Sequence, residues 1–381
     1  MTGAPLFDTL REAAARASAI TLRADLIAAS ALPGDARQLV FPPTFMEIGH
    51  LVSPVREDGS HEYVLIDSTQ SWANRLEEVA DDPALGLPRI EVAVGDTVLS
   101  AYRLPHRVYD AILRDSTLAG VPYRETPLGK ALVAARADDA TTVLQHAPTV
   151  LLFGAWDSFG GIKVGAAKWP AALAGQIFGF DATLAKKAGV RVDPLGITLD
   201  HFQGFKAADP AQFWTANEAD AARDDKGKPV VAKPSEVGHG NIVAQTLERG
   251  AWVGRIELRA SLSLTRLRRY RFPVAGKASA DADLAGRTLL ACLAVRLLAE
   301  RLERGLDLRA GADLDVTAVH WSLRQGLKGD TPVEISAEAA AGAWEAAVAA
   351  ARKAGLPLAA DVRLTATDKL LGLVEQAGAE A

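Results

Sequence analysis

The chain has 381 residues, about half of them apolar and under a quarter charged, the mix of a folded protein with a sizeable core. Its one cysteine, Cys292, excludes an intrachain disulfide and a cysteine-built zinc site. The formal charge of −5 argues against a protein that coats nucleic acid with its whole surface, yet it is unevenly spread: −7 over residues 1–150, +5 over 151–275 and −3 over 276–381.

In chain order, residues 5–18 have helical spacing and Ile20 to Ile27 alternates like a strand. Gln38 to Phe41 and Tyr63 to Ile66 read as short strands, separated by Pro42-Pro43 and the Asp58-Gly59 turn. Ser71 to Val79 predicts a helix, Arg89 to Val94 a strand, and His106 to Leu113 and Leu128 to Arg136 helices. Thr149 to Phe153 reads as a buried strand entering the Gly-rich loop Gly154 to Gly161. The Ala-, Asp-, Lys- and Pro-rich stretch from Phe205 to Asn241, with a tight turn at Asp225-Lys226-Gly227, reads as a protruding excursion. A long β segment is expected from Trp252 to Phe272, then the helix Leu284 to Arg304, in which Cys292 is a small core residue. Val316 to Leu323 alternates as a strand, Ala337 to Ala354 is an Ala-rich helix, and Val362 to Thr365 is a strand.

No repeat or Pro/Gly/Ser linker divides the chain, so a single compound α+β domain with insertions is expected. Asp8 and Glu12 stand where a signal peptide would be apolar. The longest uncharged stretch, Ala140 to Trp156, is short for a membrane span and contains Gln145, His146 and Pro148. A soluble, cytoplasmic protein without cofactor or membrane partner is the expectation.

Five segments carry more polar and Gly residues than their surroundings require. Asp67 to Glu77, with Gln70, Asn74 and Arg75, opens a helix whose free N–H groups and dipole would favour an anion; N-capping by Ser68 or Ser71 is the plain alternative. Pro105 to Asp110 places His106 and Arg107 at a helix start. It lacks the Gly-rich loop and the Asp-Phe-Gly string that would make a kinase site. Phe153 to Lys163 combines glycines, Lys163 and the aromatics Trp156 and Phe159, without the spacing of a phosphate loop or dinucleotide fingerprint. Lys233 to Ile242 sets His239 between two glycines beside Asn241, with no second histidine at metal-ligand spacing. Arg266-Leu267-Arg268-Arg269-Tyr270-Arg271, read as a strand, puts Arg266 and Arg268 on one face, where they would suit an RNA backbone.

Taken together and in order, the strings LIDSTQSWANRLE (65–77), PHRVYDAILRDS (105–116), LLFGAWDSFGG (151–161), KPSEVGHGNI (233–242) and LRRYRFP (267–273) resemble the type I-G (formerly I-U) CRISPR-associated backbone subunit of the RAMP superfamily, the Cas-seven family. Trp72 departs from that pattern, where a smaller polar residue is expected. The resemblance implies an RRM-like (ferredoxin-like) palm, a helical finger-type insertion at about 68–150 and a thumb-like hairpin at about 205–240. It also implies a non-catalytic role in antiviral defence, as a homo-oligomer stacked head-to-tail along guide RNA (crRNA) in a Cascade-type complex. The implied partners are the crRNA, the target DNA strand, further copies of the chain, a large subunit and the guide-processing and capping subunit. The implied RNA-binding or positioning residues are Gln70, Asn74, Arg75, His106, Arg107, Lys163, Lys233, His239, Asn241, Arg266 and Arg268. A second reading, from type III relatives of similar fold, is a RAMP-type endoribonuclease acting through Asp157, although no acidic partner stands near it in sequence to share a metal.

Overall fold

The computed structural model describes residues 3–32, 34–157, 168–197, 201–239 and 242–380. The chain forms two compact units: residues up to Thr183 together with those from Trp252 onward, and Leu184–Ala251.

The chain forms a curled sheet of nine strands, in which residues 184–191 and 242–251 fall in the smaller unit. These are β1 (Ala19–Ala28), β2 (Gln38–Val40), β3 (His61–Asp67), β4 (Leu173–Arg191), β5 (Ile242–Val253), β6 (Arg255–Ser263), β7 (Leu306–Asp307), β8 (Asp313–Arg324) and β9 (Asp330–Val333). The order is β7-β8-β1-β6-β4-β5-β2, with β9 on β8 and β3 on β4. The β1–β6, β1–β8, β4–β6 and β4–β3 ladders are antiparallel. Alternation in β1 assigns its two faces: Ile20, Leu22, Ala24 and Leu26 are buried, while Thr21, Arg23 and Asp25 point the other way. Register carries this split across the sheet, with Leu22 opposite both Ala260 and Trp321 and Arg23 opposite both Arg259 and His320.

The helices used below are α1 (Gly3–Arg16), α2 (Thr69–Ala80), α3 (Pro148–Phe153), α4 (Ala280–Glu303), α5 (Ala337–Lys353) and α6 (Asp368–Glu380), with others at Pro127–Ala134 and Thr141–His146. Ser68, Ser279 and Ser336 cap α2, α4 and α5 by accepting N–H bonds three residues on. Helix α4 packs against α1, α2 and α5. Leu289 to Leu298 is buried on nearly every side, with Arg296 half-buried, which is why its sequence shows no polar stripe. Cys292 lies in this helix, fully buried, and burial pushes its thiol pKa up. Among the described residues no helix is long and apolar enough to cross a membrane.

A second sheet organises region 68–150. Ile90–Val94, Thr97–Ser100, Ser116–Leu118 and Val121–Pro122 come from that region, and the fifth and central strand is the C-terminal Val362–Ala366. It runs parallel to Ile90–Val94 and antiparallel to Ser116–Leu118. The smaller unit holds a short antiparallel pair, Phe205–Lys206 with Trp214–Thr215, several helical turns, and the expected turn where Gly227 N–H bonds Asp224 C=O at 2.8 Å.

Three expectations are corrected. Thr149 to Phe153 is helical: Pro148 pre-sets the first turn, Gly154 at φ 79° ends it, and a segment buried all round shows neither strand nor helix period. The β segment stops at Ser263, whose Oγ accepts from Arg266 N–H at 3.2 Å and starts a helical turn. Arg266 and Arg268 therefore do not share a strand face. His106 to Leu113 is two short helical turns, interrupted because Asp110 accepts from both His106 N–H (3.1 Å) and Ile112 N–H (2.9 Å).

Candidate nucleic-acid interface

The outward residues of β1, β4, β6 and β8 line an open groove of about 960 Å³. One row across four neighbouring strands reads His320, Arg23, Arg259, Gln176, and the next reads Ser322, Thr21, Ser261, Ala174. Arg255 and Arg324 stand at the groove's margins. The side chains of Arg23, Arg255, Arg259, His320 and Arg324 are each between 52% and 56% exposed.

Carboxylates pair with all four arginines: Asp25 and Glu257 on the sheet face, with Asp181 also 3.5 Å from Arg255 and Asp330 3.7 Å from Arg324. Asp25 meets Arg23 at 3.4 Å and His320 Nε2 at 3.3 Å. Glu257, only 8% exposed, accepts from Arg255 Nε at 2.9 Å and from Arg259 Nη2 at 2.6 Å. Burial pushes the Glu257 carboxyl pKa up, but the hydrogen bonds from Arg259 and Arg255 outweigh it and hold it below the usual carboxylate range. The same two guanidiniums lie 4.3 and 4.6 Å from the centre of the Phe180 ring. Arginine forks, hydroxyls and an amide at strand spacing make donors for phosphate oxygens and leave exposed cation surface to displace counterions.

The segments singled out in sequence behave differently. Asp67 is fully buried and bonds Arg75 Nε at 3.1 Å and Arg309 at 3.4 Å, while Arg75 also donates to the carbonyls of Asp307 (3.0 Å) and Leu308 (2.8 Å). Glu77 takes a bidentate pair from Arg107 at 2.6 and 2.7 Å, and Arg107 reaches the Gly154 carbonyl at 2.9 Å. Burial pushes the Glu77 carboxyl pKa up despite that partner. Arg266 donates to the Ala171 carbonyl, and Arg268 to the Ala17 (2.6 Å) and Ala14 (3.3 Å) carbonyls at the end of α1.

Gln70, Asn74 and His106 are exposed. Asn74 and Glu78 line a cleft of about 490 Å³ with Arg103 and Pro105, so the first two segments meet in space. Lys233, exposed, and His239, half-buried with its ring 6.4 Å from that of Trp214, belong to the smaller unit. Lys163 and Asn241 lie outside the described residues. Trp72 is 1% exposed and packs on the backbone of Gly175, so it offers no ring to a base. Asp157 is fully buried and bonded to Arg124 at 2.7 Å, and among the described residues no cluster of His, Cys, Asp and Glu could hold a metal.

Sequence reasoning missed the groove. Its residues come from four strands spread between Thr21 and Arg324, with Thr69 from α2, and each strand alone shows only the polar half of an alternation. The available signal was the shared period of two in Thr21-x-Arg23-x-Asp25, Arg255-x-Glu257-x-Arg259-x-Ser261 and His320-x-Ser322-x-Arg324, read as one face.

A family model described as CRISPR-associated protein GSU0053 matches residues 27–184, under half of the chain. That span includes the strings at 65–77, 105–116 and 151–161, and excludes those at 233–242 and 267–273. Among solved structures 16 chains match. One of them, titled "CRISPR RNA-guided surveillance complex, pre-nicking", is 12% identical with a TM-score of 0.38, and the alignment covers 94% of this chain and 100% of that one. No curated protein matches.

Proposed function

We propose that this chain is a non-catalytic backbone subunit that holds guide RNA in a type I CRISPR surveillance complex, of the type I-G kind. The observation that carries the reading is the open sheet face, where Arg23, Arg255, Arg259, Arg324 and His320 stand half-exposed among hydroxyls. Such a face meets a phosphodiester backbone without reading sequence, and in RNA-guided recognition base pairing reads the sequence. The family similarity over 27–184 supports the CRISPR setting.

In this reading the curled sheet with its helices is the RRM-like palm, region 68–150 the finger-type insertion and 205–240 the thumb-like element. Copies stack head-to-tail along the crRNA beside the target DNA strand, the large subunit and the guide-processing subunit. Gln70, Asn74, His106, Lys163, Lys233, His239 and Asn241 remain candidate backbone contacts. Arg75, Arg107, Arg266 and Arg268 act as positioning groups, since their donors serve carboxylates and carbonyls of the chain itself. The endoribonuclease reading gains nothing from Asp157, a shielded carboxylate paired with Arg124.

The test is purification with the neighbouring gene products, followed by sequencing of the bound nucleic acid. Uniform guide-length RNA at several protein copies per RNA supports the reading; a nucleic-acid-free monomer contradicts it.

A further inference from the structure

Outward positions of the central strands hold Thr, Ser, Arg, His, Gln and Ala, except at one end of the groove. There β4 continues its outward series Ala174, Gln176 with Phe178 and Phe180, opposite Glu257 and Arg255 of β6. Phe180 is pinned beneath the guanidiniums of Arg255 and Arg259 and is 6% exposed. Phe178 lies 6.1 Å from it and meets Tyr63 of β3 edge-on, with ring centres 5.3 Å apart at 75°. Phe178 and Tyr63 are both half-buried, Phe178 opposite Glu257 and Tyr63 opposite Phe180 in strand register.

We infer that Tyr63 and Phe178 form a stacking subsite for unpaired nucleobases at the Arg255–Arg259 end of the groove. An aromatic ledge continuous with a cationic row matches a ligand that alternates flat apolar rings with phosphates, which is the chemistry of a single strand. In a duplex the ring faces are already stacked on one another, so the ledge selects single strands. Phe180 holds the two guanidiniums by cation–π contact, which keeps phosphate donors and ring ledge at fixed spacing. The inference deepens the nucleic-acid reading above and rests on it.

The test measures binding of the full chain by fluorescence anisotropy. The probes are labelled decamers of oligo(U) and oligo(dT), an abasic strand with the same number of phosphates, and an RNA duplex, each over a salt series. The unaltered chain is expected to hold oligo(U) or oligo(dT) about tenfold tighter than the abasic strand. The tighter of the two names the strand that the ledge takes. Phe178→Leu and Tyr63→Leu, which keep apolar bulk, are expected to remove most of that preference and leave abasic binding and the salt slope unchanged. Arg259→Gln is expected to weaken both strands and flatten the slope. Leucine variants that bind oligo(U) and oligo(dT) as the parent does, or a parent that holds the abasic strand or the duplex as tightly, would overturn the subsite. Absence of guide RNA from the co-purified complex, with the preference for bases intact, would instead sink the proposed function and leave the subsite standing.

Discussion

Two populations of arginine share the larger unit and are used in opposite ways. Arg75 and Arg107, from the segments richest in polar residues, are turned inward: their side chains are 13% and 15% exposed, and they bind the buried carboxylates Asp67 and Glu77. Arg23, Arg255, Arg259 and Arg324, from strands that read as ordinary alternation, are over half exposed and share one face. The first population holds the chain together and the second presents charge. Local richness in arginine therefore does not show which arginines present charge; the face on which they stand does.

The contrast breaks most visibly if the inward pairs are cut. Glu77→Ala leaves the Arg107 guanidinium without its carboxylate in a buried setting, an expected loss of about 3–5 kcal/mol in denaturant unfolding. The RNA salt slope of the surviving folded protein is expected to stay as it was. Gly175→Ala comes next. A Cβ there would sit 2.5 Å from the Trp72 indole, an expected cost of about 1–3 kcal/mol from overpacking, read as a lower midpoint at constant m-value. Arg268→Gln removes a cap from the carbonyls ending α1 and is expected to cost about 1 kcal/mol with no change in RNA binding. A flattened salt slope in that variant would return Arg268 to the contact residues.

The smallest effect sharpens the other side of the contrast. Glu257 has its folded-state pKa held below the ordinary carboxylate value. Its contribution to stability is therefore present above the unfolded carboxylate pKa and lost as pH falls through the folded value. With both arginine partners half-exposed the effect is under about 1 kcal/mol. Relative to Glu257→Gln, the parent is expected to show a small extra loss of stability on the acid side in thermal melts across a pH series. Identical pH profiles would show that Glu257 does not anchor the two guanidiniums.

The elements with clean periodicity were legible in sequence. β1 alternates Ile20, Leu22, Ala24, Leu26 inward, and α5 and the Val362–Ala366 strand fall within a residue of their expected ends. Where periodicity vanishes, the reading failed. α3 is apolar on every side, and the 19-residue strand β4, rich in Gly and Ala, went unrecognised although it is the hub of the sheet. Two of its glycines mark close packing, Gly175 under Trp72 and Gly179 against Val253 and Ile66. In two of the segments chosen for chemistry, Arg75 and Arg107 each serve a buried ion pair. The groove stayed hidden because its arginines are brought together by strand register, and register is a property of the folded sheet.

The claim that the open sheet face holds nucleic acid is tested most directly by the salt dependence of RNA affinity in the parent and in an Arg23→Gln/Arg259→Gln double variant. Affinity is expected to fall about tenfold or more and the log–log slope to lose about two phosphate equivalents, with unfolding stability changed by less than about 1 kcal/mol. An unchanged slope in a folded double variant would contradict the assignment of this face.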